Sequence, residues 1–78
     1  MSAYEHIVIS AVRYAIGRMS YIVNITVDYV LKDIAENKLS KKCLSIIKSD
    51  IKNGNYLGMY CDQMDWKRLL NKIEEVIK

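Results

Sequence analysis

The sequence predicts an all-α fold: a three-helix domain over residues 1–78, with one long N-terminal helix, assembling as a homo-oligomer. Three observations predict it. Apolar residues recur at helical spacing in three stretches, and no proline interrupts them. His6, Ser10, Arg13, Gly17, Ser20, Asn24 and Asp28 follow spacings of 4, 3, 4, 3, 4 and 4. At 100° per residue they fall within a strip about 80° wide along one helix. Finally, 51% of the 78 residues are hydrophobic, more apolar surface than a lone small domain readily buries, so sister chains are expected to cover the surplus.

The first element begins at a capping box. The Ser2 hydroxyl is placed to accept a first-turn N–H, and the Glu5 carboxylate reaches back to the cap amide. Residues 21–29, YIVNITVDY, alternate apolar and polar and are β-branched, as a strand would be. The polar strip keeps its helical phase on both sides of Gly17, which favours one helix over residues 3–36 with a bend at the glycine.

Asn37–Leu39 reads as a turn and Ser40 as the next N-cap. Residues 41–53 form a helix with apolar Cys43, Leu44, Ile46, Ile47 and Ile51, stopped by Asn53 and Gly54. A loop from Asn55 to Cys61 leads to Asp62, the cap of the last helix. There Trp66, Leu69, Leu70, Ile73, Val76 and Ile77 fall at i, i+3, i+4, i+7, i+10 and i+11, one apolar face.

The net charge is +3, unevenly spread: residues 1–36 carry −1 and the remainder +4. Lys38, Lys41, Lys42, Lys48 and Lys52 hold the excess, which reads as a solvated helix face before it reads as a nucleic-acid surface. Two cysteines make no disulfide framework, and the start MSAYEH lacks the order of a signal peptide, so a reducing cytoplasm is expected. Arg13, Arg18, Asn24 and Asp28 argue against a membrane span over residues 7–31.

Glycine inside a helix costs about 1 kcal/mol relative to alanine, so Gly17 calls for a compensating role. Arg13 lies one turn earlier, and Tyr14, Arg18 and Tyr21 fall at i, i+4 and i+7 on the adjoining face. The missing side chain would form a notch edged by two guanidinium groups and two phenols. Guanidinium forks match phosphate oxygens and phenol rings stack on bases, while Asn24 is placed to read a base edge. The candidate ligand-binding set is therefore Arg13, Tyr14, Gly17, Arg18, Tyr21 and Asn24. In the competing reading Gly17 lets two helices pack closely, the tyrosines are interface aromatics, and Arg13 pairs with Asp28 across a dimer. A pocket at the subunit interface satisfies both.

Other residues offer less. His6 with Cys43 and Cys61 falls short of a four-ligand zinc site, and no base adjoins either thiol in sequence. A triad of His6, Ser10, Ser20 and Asp28 is forbidden within one chain, since a straight helix spreads residues 6–28 over about 33 Å. Asp62 and Asp65 read as helix-start carboxylates and Trp66 as a core anchor. Tyr56, Met59 and Tyr60 in the loop are placed to close over the notch. No catalytic residues, metal or cofactor are expected.

Residues 12–30, VRYAIGRMSYIVNITVDYV, and residues 58–66, GMYCDQMDW, carry a pattern of Arg13-Tyr14, Gly17-Arg18, Tyr21 and Asp28-Tyr29, then Cys61-Asp62 and Trp66. In this the chain resembles a group of short proteins encoded by bacteriophages and prophages, over most of its length. The resemblance implies a viral origin and residence in the host bacterial cytoplasm. Small phage proteins of this size often block host immunity, either by binding a nuclease complex or by sequestering a nucleotide signal. The leading expectation is a non-enzymatic counter-defence protein that sequesters a cyclic nucleotide or cyclic ADP-ribose type signal. The alternatives are an anti-CRISPR-type inhibitor of a host nuclease complex and a small nucleic-acid-binding regulator.

Overall fold

A computed structural model describes residues 1–54 and 62–78 of the chain. Among these residues there is no strand, and four helices follow in order: α1 (Ala3–Ala15), α2 (Ser20–Ala35), α3 (Lys41–Asn53) and α4 (Asp62–Ile77). The all-α expectation holds. The three-helix count and the single helix over residues 3–36 do not.

The backbone at Gly17 is the reason. Its φ of +82° is left-handed, a conformation that L side chains rarely adopt. Ile16 has already left the helical region at φ −60° and ψ 121°, and Arg18 N–H donates to the Ala15 carbonyl, so the chain reverses over residues 16–19. These four residues are close to one helical turn in number, and the polar pattern therefore keeps its arithmetic phase while the chain changes direction. The β-branched run over 21–29 sits in α2, where Val23, Val27 and Val30 fall on one buried face at i, i+4 and i+7.

The helices pack in a ring: α1 against α2 and α3, and α4 against α2 and α3. Each contributes one apolar face to a common core. Val8, Ile9, Val12 and Ala15 come from α1, and Val23, Val27, Val30 and Ile34 from α2. Cys43, Leu44, Ile47 and Ile51 come from α3, and Trp66, Leu69, Leu70 and Ile73 from α4. Ile46 and Ile77 pack partly buried against this cluster. The two apolar faces expected over 41–53 and 66–77 are thus the faces buried, except that Val76 stays exposed.

The turn between α2 and α3 forms at Asn37, with φ +58°. Lys38 N–H donates to the Asp33 carbonyl and Asn37 N–H to that of Ile34, the two bonds of a Schellman stop. At the far end of α3, a Cβ on Gly54 would lie 2.7 Å from Ile16 Cγ2 and 3.1 Å from the Asp50 carbonyl oxygen. The bare α-carbon of Gly54 lets the end of α3 abut the α1–α2 turn.

Glu5 ties two helix starts together. The Ser2 backbone N–H donates to its Oε1 at 3.0 Å, completing the capping box of α1. The Ser40 N–H and hydroxyl donate to Oε2 at 2.8 and 2.7 Å, while the same hydroxyl caps α3 by accepting from Cys43 N–H. These donors, the Ser2 amide foremost and then Ser40, hold the buried carboxyl down at about 2, from an ordinary value of 4.5. Burial foremost, and then the charge of Glu5, push the buried Cys43 thiol up to about 11, which keeps it protonated and unreactive.

Replacing Gly17 by alanine is expected to destabilise the protein by about 1–2 kcal/mol, since alanine must enter the left-handed region. A glycine inside a continuous helix would give the opposite sign, a gain of about 1 kcal/mol, so urea unfolding of Gly17→Ala separates the two architectures. Glu5 sets an acid limit. Because its folded-state value lies below the unfolded one, the unfolded chain takes up the proton first as pH falls. Its stabilisation is complete above about 4.5 and is lost as pH drops toward about 2. Thermal unfolding against pH should show Glu5→Gln less stable at neutral pH and flatter across that window.

Candidate functional site

The hairpin reversal decides where each anticipated binding residue lies. Arg13, in the last turn of α1, extends its Nε to Asp50 Oδ2 of α3 at 2.8 Å. Asn24 of α2 donates from Nδ2 to Asp65 Oδ1 of α4 at 3.3 Å. Arg68 Nη2 lies 3.0 Å from both Asp65 Oδ1 and Asp28 Oδ1, and these carboxylates raise the guanidinium pKa, Asp28 first. Arg13, Asn24 and Asp28 of the polar strip are therefore answered within the chain, by α3 and α4.

Tyr14 and Arg18 do come together. The Arg18 guanidinium carbon lies 4.6 Å from the centre of the Tyr14 ring, within cation–π range, and its Nε donates to the Tyr14 carbonyl at 3.1 Å. Tyr14 and Tyr21 are 58% and 59% exposed. Gly17 contributes conformation to this end of the hairpin and not a packed notch: a Cβ there would meet nothing within 4 Å. Tyr56, Met59 and Tyr60, expected to close over the notch, lie outside the described residues, as does Cys61.

The sequence reading missed a second feature. Between α1 and α2 runs a groove of about 270 Å³, floored by Val8, Ala11, Thr26 and Val30 and edged by Tyr4, Ile7, Ile25 and Tyr29. Ile7 and Tyr29 are each 65% exposed, large side chains standing in water along the rim. At one end Asp33 is 4% exposed and accepts a hydrogen bond from the Tyr4 hydroxyl, joining the start of α1 to the end of α2. That bond, with burial and the charge of Asp33 behind it, raises the Tyr4 phenol above its ordinary 10.0. A signal was present: Tyr4, Ile7 and Ala11 form a second stripe on α1, and Ile25 and Tyr29 one on α2, turned away from the core residues.

Among the described residues no group of three His, Cys, Asp or Glu side chains is placed to hold a metal ion. Among them, too, no helix is long and apolar enough to cross a membrane. Comparison with protein families, with curated proteins and with solved structures finds no match.

Tyr4→Phe tests the groove's polar end. The substitution leaves Asp33 buried without this donor, so the urea midpoint should fall while helical circular dichroism stays the same. An unchanged midpoint would show that the bond contributes nothing.

Proposed function

We propose that this chain is a non-enzymatic counter-defence protein of phage origin. It works as a homo-oligomer in the host cytoplasm and sequesters a cyclic nucleotide or cyclic ADP-ribose type signal. The observation that carries this reading is the exposed Tyr14–Arg18 stack at the tip of the α1–α2 hairpin, with exposed Tyr21 just beyond the reversal. A phenol face offers a stacking surface to a base, and a guanidinium beside it offers donors to a phosphate. Arg13, next to Tyr14 in sequence and steered by Asp50, supplies a second guanidinium at the same end of α1. Gly17 provides the reversal that lays Arg18 on the ring. Asn24 enters the site by exchanging its bond to Asp65 for one to the ligand. The resemblance to short phage proteins supports the biological setting.

A second reading, an inhibitor that binds a host nuclease complex, is favoured by the apolar α1–α2 groove, which suits a protein surface better than a nucleotide.

Isothermal titration of the intact protein against cyclic dinucleotides, cyclic trinucleotides and cyclic ADP-ribose isomers tests the first reading. Binding by at least one is expected, weakened roughly tenfold or more by Tyr14→Ala or Arg18→Ala, as loss of one stacked base contact implies. No binding by any member overturns it. Recovery of a nuclease subunit from host lysate by the wild-type protein, with no ligand bound, assigns the second reading in its place.

A further inference from the structure

The outward face of α3 carries a row of cations that the fold leaves almost without counter-charge. At 100° per residue, Lys41, Ser45, Lys48 and Lys52 fall within a strip about 60° wide and about 16 Å long. Asp50 is the one acid of α3. It falls on the opposite side of the helix from Lys41, where Arg13 of α1 holds it at 2.8 Å. Among the described residues Lys41, Lys42 and Lys48 form no ion pair, and Lys52 meets Glu74 of α4 only at 3.8 Å, with both side chains exposed. Packing of α1 on α3 thus takes the internal acid away from the lysines, which composition alone does not reveal.

Along this row lies a hollow of about 380 Å³, lined by Ser45, Lys48, Ser49, Lys52 and Asn53 of α3 and by Ile77 of α4. None of these residues is an acid. Asn53 Nδ2 donates to Ser49 Oγ at 3.3 Å, so the Ser49 hydroxyl keeps its own proton to give. Two ammonium groups and two hydroxyls around one hollow are a donor set that matches phosphate oxygens.

The surroundings narrow the source of that phosphate. A free phosphate compound would use the hollow alone, whereas the cations continue past it to Lys41, as a chain of phosphates requires. A lipid surface calls for apolar residues that enter the acyl boundary, and Cys43, Leu44, Ile47 and Ile51 of α3 are buried in the core instead. A single strand calls for aromatic platforms, and residues 41–53 contain none. Asn53, the one amide of α3, is engaged with Ser49, so the row is equipped to hold backbone and not to read bases.

We propose that the lysine row of α3, with the hollow between Ser45 and Asn53 as its seat, binds the phosphate backbone of duplex nucleic acid without regard to sequence. The row lies on α3, apart from the Tyr14–Arg18 pair, and the inference does not rest on the signal-binding reading.

The test is fluorescence anisotropy of the intact protein with short DNA duplexes of two unrelated sequences. Equal binding to both is expected, with affinity falling about 40-fold between about 50 and 200 mM salt, as neutralising three phosphates implies. Lys48→Glu and Lys52→Glu should each weaken both duplexes alike, and Lys41→Ala should flatten the salt dependence by about one charge. These side chains point outward, so helical circular dichroism should not change. Lys32→Ala on α2 should leave binding as it is. No duplex binding at about 50 mM salt, a flat salt response, or binding indifferent to Lys48→Glu and Lys52→Glu overturns the proposal. So does binding of inorganic pyrophosphate or poly-glutamate as tight as that of the duplex, which would assign the row to a free phosphate compound or to an acidic protein surface.

Discussion

The left-handed backbone at Gly17 is the constraint from which the rest of the architecture follows. Without it, residues 3–35 would form one rod, and its apolar surface would need a partner along its whole length. With it, the rod folds into a hairpin whose arms each turn one face toward α3 and α4. The reversal needs a residue free of the Cβ penalty, and it needs room, which the open space at Gly17 supplies. Gly54 serves the opposite purpose: its conformation is ordinary, and close contact with Ile16 makes the side chain unwelcome. The turn is thereby held from inside by the neighbouring helix.

Once the hairpin forms, its polar strip is divided between two neighbours. Arg13 meets α3 through Asp50, while Asn24 and Asp28 meet α4 through Asp65 and Arg68. These contacts are largely exposed, and each adds little to stability. Their value lies in orientation, because they fix which side of each helix faces which partner. Glu5 differs, being buried and met by the amides and hydroxyls of both Ser2 and Ser40. It couples the start of α1 to the start of α3, residues 35 apart in sequence. Its chemistry is the capping box extended to a second cap, which lets one carboxylate organise two helices.

Much of this was legible in the chain. The capping box at Ser2 and Glu5, the turn at Asn37, the cap at Ser40 and the buried faces of α3 and α4 all follow from local rules. They were readable because each depends on residues within one or two turns of each other. The break at Gly17 was hidden by an accident of counting. A four-residue reversal preserves a 3.6-residue phase almost as well as a helix does, so periodicity carries no information about direction there. Glycine just past an apolar run is also a helix stop, and that signal was the truthful one. The site suffered in turn: the notch expected of a helical Gly17 required the wrong backbone, whereas the Tyr14–Arg18 pair survives because i to i+4 residues also meet across a tight reversal. Partners such as Asp50 for Arg13 lie 37 residues away and are decided by packing, which no local pattern encodes.

Charge is distributed unevenly around the bundle. Residues 1–36 carry seven charged side chains, and residues 37–78 carry fourteen. In the folded protein this becomes a difference between faces: Lys41, Lys42, Lys67, Glu74 and Glu75 stand exposed on α3 and α4, whereas Ile7, Ile25 and Tyr29 stand exposed on α1 and α2. Single exposed apolar residues, such as Met64 and Val76 on α4, are ordinary. An apolar strip confined to α1 and α2 while α3 and α4 are densely charged is a different matter, because burying none of it leaves large apolar side chains in water.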